Sequence, residues 1–402
     1  MDGFGSLVTP TTDVNVTGGA QTLSLTFDTI KPAAAFVGKE IEECSQCNYA
    51  DTTLLKYVKI RSKKLSKFWN RDMYIGANVL LPAGYNANDT KTRYPVVYSQ
   101  GHWPGGTGPF SYPRANFSAG WNNGTIPATA TLPARPALKL ILVRVRHETP
   151  YDDSYAVNTP NLEPYGDAID EELVPALDRM FNTIAEPYVR IQEGGSTHGW
   201  ESIAKLIFRP DLYGACFSSY PDSLDFHRHQ AIPLYTNKNA YVNADGSVIN
   251  SIRTFSSSTN NTKTTFASTA QENHWELTQG TSYRSSLQSA VWQTVFGVQG
   301  YNNYSLESWD KVTGEIYPGA VDFWKHMDLS AYVVANWNNS RNPGTALQGR
   351  VFIYVGTHDG QLAPLPLIEK DADLSQTTTS TSTSPNFKRT PMQQTAANPS
   401  PT

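Results

Sequence analysis

Val189-Arg190-Ile191-Gln192-Glu193-Gly194-Gly195-Ser196-Thr197-His198-Gly199-Trp200-Glu201-Ser202 is a β-type run that ends in two glycines and a serine and then becomes helical. That pattern is a strand, a turn and a helix with Ser196 at the bend. A serine raised on such a turn needs small neighbours, because the turn is strained and other backbone approaches closely; the hydroxyl then meets a ligand at a helix N-terminus. Gly194 stands two positions before the serine and Gly195 directly before it. The position two after is His198, where the pattern G-x-S-x-G has glycine, so four of five places are filled and Gly199 takes up part of the packing role. A Gly-Gly-Ser at a strand end also describes an ordinary structural turn, so its weight comes from context.

Working outward, Met73–Leu81 reads as a strand closed by the turn Pro82–Tyr85, Tyr94–Ser99 as a second, and the nearly continuous apolar run Leu138–Val145 as a third, covered on both faces. Ile169, Leu173, Leu177, Met180 and Ile184 then follow a helical stripe, with Asp167 as its expected cap and Pro175 as its expected kink. Further strands are expected at Tyr188–Glu193, Tyr213–Ser219 and Arg350–Val355, with a helix from Thr197 to before Pro210. Strand and helix alternate, which predicts an α/β fold with a mostly parallel sheet flanked by helices. Residues 61–222 and 348–374 form its expected core. Residues 1–60 read as a strand-rich extension carrying the alternating run Thr22–Phe27, and 223–347 as a partly helical insertion before the penultimate strand, too long to be a loop. The tail 375–402 is rich in Ser, Thr and Pro with only Phe387 and Met392 as large apolar side chains, and is expected to be disordered.

Composition narrows the function. Thirty-two basic against 36 acidic residues give a net charge of −4, which excludes an electrostatic nucleic-acid binder as the leading reading. No apolar run reaches the roughly 18 residues of a membrane span, and the first residues carry neither the basic nor the apolar region of a signal peptide. Seven sequons, at Asn15, Asn88, Asn116, Asn123, Asn260, Asn303 and Asn338, lean weakly toward a secreted glycoprotein, and oligomeric state is not legible. Cys44, Cys47 and Cys216 cannot form a disulfide framework. The Cys44–Cys47 pair has no second pair to complete a zinc set, and the His227/His229 pair is read as lacking carboxylate partners, so no metal ligand and no cofactor are expected.

Around Ser196 a set of partners can be named. An oxyanion hole in this architecture takes one N–H from the residue after the serine, Thr197, and another from the loop after an earlier strand. That loop is Gln100–Gly106, with His102 and Trp103 at its start. The acid belongs after the strand that ends at Val355, where Gly356-Thr357-His358-Asp359-Gly360 offers Asp359; Asp222, in Tyr220-Pro221-Asp222, is its rival or a structural cap. Trp200, His147 and Asp222 are expected to line the substrate. The general base has no good candidate, because no histidine follows His358, and His198 sits two residues beyond Ser196 on the same helix start.

Asn78–Tyr85, Gln100-Gly101-His102, Pro164–Ile169, Gly194–Thr197, Tyr220–Asp222 and Trp309–Ile316 occur in an order that resembles serine esterases of the α/β-hydrolase superfamily, in the esterase D and feruloyl-esterase-like group, over roughly residues 65–365. The resemblance implies a Ser-Asp-His triad acting on esters of small molecules or carbohydrates. It carries over to Ser196 and to Asp359, but the closing Gly-His segment after the last strand has no counterpart. The chain is therefore expected to be a shortened product with an incomplete C-terminal sheet edge and impaired activity, or else an intact protein that uses another base or none. A non-catalytic binding protein on the same fold, recognising carbohydrate or a partner, is the alternative, and a serine peptidase the third reading.

Overall fold

Runs of β-branched and aromatic residues form strands within one to three residues of where the sequence puts them. The computed structural model describes residues 51–100 and most of 120–355, together with a short antiparallel pair, Leu7–Val8 with Thr29–Ile30. The apolar residues of the Thr22–Phe27 run, the Gln100–Gly106 loop beyond Gln100, the sheet edge after Val355 and the Ser/Thr-rich tail lie outside the described residues.

Seven strands make the central sheet: β1 (Leu55–Arg61), β2 (Tyr74–Leu80), β3 (Val96–Ser99), β4 (Ile141–Arg146), β5 (Arg190–Ser196), β6 (Ala215–Pro221) and β7 (Val351–Tyr354), in the spatial order β1-β2-β4-β3-β5-β6-β7. β2 runs antiparallel to both β1 and β4, and every pair from β4 to β7 is parallel. This order, with its single reversed second strand and a turn to helix after β5, is the α/β-hydrolase fold. β2 is buried from Ile75 to Leu80, and the β3 and β4 residues Val96, Tyr98, Ile141, Val143 and Val145 are buried too, as central strands covered on both faces require. From β3 the chain passes first to β4 on one side and then to β5 on the other. Open parallel sheets bind ligands at the C-terminal strand ends where the order reverses in this way, so the ends of β3 and β5 are where a site belongs.

The helical stripe before β5 differs from its sequence reading. The run from Tyr165 to Met180 is wound as a π-helix over Ala168–Leu173 and returns to α-helix at Val174–Met180. Pro175 has no N–H to give to the turn before it; the wider turn absorbs that loss and leaves the proline in the first turn of the next segment, where no donor is needed. Asp167 caps nothing. The helix enters at Pro164, and Asp167 instead accepts from Asn158 Nδ2 at 2.8 Å. Ile184 falls beyond the helix end.

Two helices frame the sheet ends: α1 (Lys63–Trp69), capped by Ser62, and α2, the Thr197–Phe208 helix that follows β5. The long segment before β7 is largely helical, with α3 (Thr269–Gln279), α4 (Gln288–Phe296), α5 (Pro318–Trp324) and α6 (Leu329–Asn336). Buried Glu276 accepts from the Ser289 and Ala290 N–H groups at 2.7 and 3.0 Å, satisfying the start of α4, and pairs with Lys311. Trp292, Phe296, Trp309 and Trp324 share one buried cluster with Tyr155, Trp200 and Phe226, so this segment packs into the core beneath α2.

Cys216 lies in β6 with no exposed surface, and burial pushes its thiol up to about 12. It is expected to resist alkylation in the folded protein and to react only as the chain unfolds. Iodoacetamide labelling read peptide by peptide across a guanidinium series checks this; native-state labelling of the Cys216 peptide would contradict the burial.

Candidate active site

Ser196 ends β5 with φ 59° and ψ −126° and precedes α2 directly. A non-glycine residue in that region costs on the order of 1–3 kcal/mol and persists only where its surroundings over-determine it. Here they do. A Cβ on Gly194 would fall 2.3 Å from the His198 carbonyl oxygen, and one on Gly195 would fall 2.9 Å from the Tyr220 ring. A Cβ on Gly199 would meet Pro221 Cα and Ser218 Oγ at 2.9 Å. The glycine expected two positions after the serine is thus displaced by one: Gly199 lets α2 lie against β6, while Gly194 yields to the His198 backbone.

The bend is held from beneath. The Asp222 N–H donates to the Ser196 carbonyl at 3.1 Å. Asp222 Oδ2 accepts from Thr197 Oγ1 at 3.0 Å and from the Tyr155 hydroxyl at 2.9 Å. The Tyr155 oxygen in turn accepts from Trp292 Nε1 at 2.7 Å and Gln288 Nε2 at 2.8 Å. Tyr155 and Ala156 both have positive φ, 53° and 55°, so the loop that carries the phenol is itself constrained. On the neighbouring strand, Gln100 Nε2 donates to Gln192 Oε1 at 2.7 Å, and both side chains are buried. That bond ties the first residue after β3 to the strand that ends at Ser196.

Ser196 itself is exposed, at the C-terminal edge of the sheet and at the start of a 12-residue helix. The first amides of such a helix have no partner within it, and the helix end favours negative charge. An exposed hydroxyl held over these amides is suited to acyl transfer: attack on a carbonyl carbon develops charge on an oxygen that the Thr197 N–H can meet. Among the described residues, no side chain hydrogen-bonds the Ser196 hydroxyl.

The structure sorts the sequence-derived site residues unevenly. Ser196 ends β5 and Thr197 opens α2. Asp359, His102 and Trp103 lie outside the described residues, as does His358. Three expected wall residues are corrected. Trp200 has no accessible surface, because the inward face of α2 carries it between Tyr155 and Phe296, at 5.6 and 5.3 Å between ring centroids. His147 is buried where β4 ends, its Nδ1 2.7 Å from Ser154 Oγ. Asp222 is buried and used by Thr197 and Tyr155, which makes it the brace of the bend. The His227/His229 pair is also split: His227 is exposed and bonded through Nδ1 to Asp225 at 2.7 Å, whereas His229 is enclosed by aromatic rings. The carboxylates found beside His227, Asp225 and Asp328, correct the expectation that it has none.

Three residues near the bend carry no site role in the sequence analysis. Tyr220, with φ 39° and 45% exposure, lies over Gly195 and presents an aromatic edge beside Ser196. Asp153 and Glu201 sit behind the bend with His147; burial pushes the Glu201 carboxyl well above its usual range, and the nearby Asp153 carboxyl adds to the shift. The aromatic near the end of β6 was visible in Tyr220-Pro221-Asp222, but nothing in the sequence marked Glu201 as inward-facing.

No protein-family model and no curated protein matches the chain. Among solved structures, a ferulic acid esterase is 12% identical over 81% of this chain and 89% of its own, with a TM-score of 0.40. An S-formylglutathione hydrolase from Agrobacterium tumefaciens is 12% identical over 83% of this chain and 87% of its own, also at 0.40. The enterobactin esterase from Shigella flexneri is 14% identical over 46% of this chain and 41% of its own, at 0.30. The fold assignment rests on strand order and direction, independently of these likenesses.

Proposed function

We propose that the chain is a carboxylic ester hydrolase in which Ser196 is the nucleophile. One observation carries the reading: an exposed serine held at φ 59° and ψ −126° between β5 and α2, at the reversal point of the sheet. The serine oxygen attacks the ester carbonyl, the oxyanion is met by the Thr197 amide, the alcohol departs with a proton, and water then releases the acid from Ser196. In this reading the second oxyanion donor comes from the loop carrying His102 and Trp103, Asp359 is the acid, and no residue is assigned as the general base. Tyr220 offers an aromatic wall for the acyl or alcohol group, the role that buried Trp200 cannot take. The substrates are small-molecule or carbohydrate esters.

A fluorophosphonate probe tests the reading, because it labels a serine only where the oxygen is activated and the phosphoryl oxygen is received as an oxyanion would be. The folded protein is expected to take the label on the peptide containing Ser196, and Ser196→Ala to take none. Labelling at another residue, or no labelling of the folded protein, would remove Ser196 from this role and favour a binding protein built on the same fold.

A further inference from the structure

Behind the bend, and separate from the Ser196 hydroxyl, three buried side chains converge. Glu201 projects inward from the second turn of α2, His147 directly follows β4, and Asp153 lies in the loop that leads to Tyr155; their exposures are 0%, 3% and 2%. His147 Nε2 lies 3.8 Å from Glu201 Oε2, and its Nδ1 lies 3.6 Å from Asp153 Oδ1. One donor atom from each of the three falls within 4.8 Å of the others. No N–H or hydroxyl of the described residues reaches either Glu201 oxygen within hydrogen-bond distance, and the Asp153 carboxyl is a polar neighbour. We infer that this cluster is a site for a first-row divalent cation, zinc or manganese, bound by His147, Asp153 and Glu201.

Charge is the first reason. Two buried carboxylates need compensation, since an uncompensated buried charge costs several kcal/mol. The basic group one turn along the same helix, Lys205, is already spent on Asp170 at 2.5 Å. A single shared proton beside a neutral His147 would leave one net negative charge in the interior, whereas a dication cancels both carboxylates and is bound by the neutral imidazole. Geometry is the second reason. Ligands about 2.0–2.2 Å from a tetrahedral metal lie about 3.3–3.6 Å apart; His147 Nε2 and Glu201 Oε2, 3.8 Å apart, are within a few tenths of an ångström of that, and one donor atom from each of the three residues lies within 4.8 Å of the others. The donor set is the third. One imidazole with two carboxylates suits borderline first-row ions, while calcium and magnesium take oxygen alone. Ser154 Oγ, 2.7 Å from His147 Nδ1, is placed to accept that N–H and so leave the Nε2 lone pair directed at Glu201, the outer contact that metal-bound histidines use. The ion would clamp the first turns of α2 to the end of β4, which makes its role structural and independent of whether Ser196 hydrolyses esters.

The full chain, expressed with zinc and manganese in the medium and purified without chelator, is expected to carry about one equivalent of metal, with X-ray absorption reporting nitrogen and oxygen ligands and an imidazole signature. Glu201→Gln and Asp153→Asn are expected to reduce the content to less than about a tenth of that, while Asp225→Asn, at the half-exposed Asp225–His227–Asp328 cluster, leaves it unchanged. Metal-free wild-type protein would overturn the proposal. So would sulfur ligation, which would assign the metal to Cys44 and Cys47, or full metal content in either folded variant at Glu201 or Asp153. The absorption spectrum is read on wild-type protein, so the assignment can fail even if both variants do not fold.

Discussion

Lys205→Met is expected to lower the free energy of unfolding by about 3 kcal/mol, a large fraction of what holds a domain of this kind together. Lys205 and Asp170 are both almost wholly buried, and their side chains meet at 2.5 Å. Burial lowers the lysine's affinity for its proton, and Asp170 acts against that shift. Nζ also reaches the Ala156 and Gly166 carbonyls at 3.4 Å, so one ammonium joins α2 to the Tyr155 loop and to the helical run that starts at Tyr165. Removing it strands a buried carboxylate, which typically costs 3–5 kcal/mol. The lower end is expected because the Tyr213 hydroxyl still donates to Asp170 at 2.6 Å and Arg209 stands 3.7 Å away. Asp170→Asn combined with Lys205→Met removes both charges while keeping an acceptor for Tyr213, and should recover about half the loss. Urea unfolding of the three proteins measures this. A single variant within about 1 kcal/mol of wild type, or a double variant worse than the single, would show that the pair is not what secures α2.

The contrast between residues that were legible in the sequence and those that were not follows the range of the interactions involved. Gly194-Gly195-Ser196 followed by a helical run is a local signal, and the bend, the strand before it and α2 after it all lie where that signal puts them. The parallel sheet was legible as well, because alternation of strand and helix restricts the topology to few choices. Trp200 was misread as a wall because the surface that covers it, Phe296 on α4, lies almost a hundred residues later in the chain. His147 and Asp222 end strands on the edge where site residues belong, yet each is turned inward by a partner no spacing rule reveals, Ser154 in one case and Tyr155 in the other. The π-helical turn before Pro175 shows the same limit locally. A missing N–H can be absorbed by a kink, a break or a wider turn, and packing against the sheet selects among them.

His229→Leu should change how stability depends on pH, with little dependence of that change on anything else in the chain. The imidazole has no exposed surface and is ringed by Trp292, Phe226, Trp324 and Phe296, at 4.6, 5.0, 5.1 and 5.9 Å between centroids. Neither ring nitrogen has a hydrogen-bond partner among the described residues, and burial lowers its pKa from 6.5 to about 3. Above pH 6.5 this histidine is neutral in both the folded and the unfolded chain and its ionisation favours neither. As pH drops from 6.5 toward 3 folding is increasingly opposed, because the unfolded state then binds a proton that the folded state refuses. One proton corresponds to about 1.4 kcal/mol per pH unit, so by pH 4 the residue should have cost the wild type roughly 3 kcal/mol that the leucine variant does not lose. Carboxylates shared by the two proteins cancel in the difference, and the packing lost with the ring adds an offset independent of pH. Urea unfolding of both at pH 7.5, 6, 5 and 4 reads the difference. Curves that stay parallel below pH 6.5 would mean that the imidazole finds a partner or reaches solvent, and that the aromatic enclosure beneath α2 is looser than its ring contacts describe.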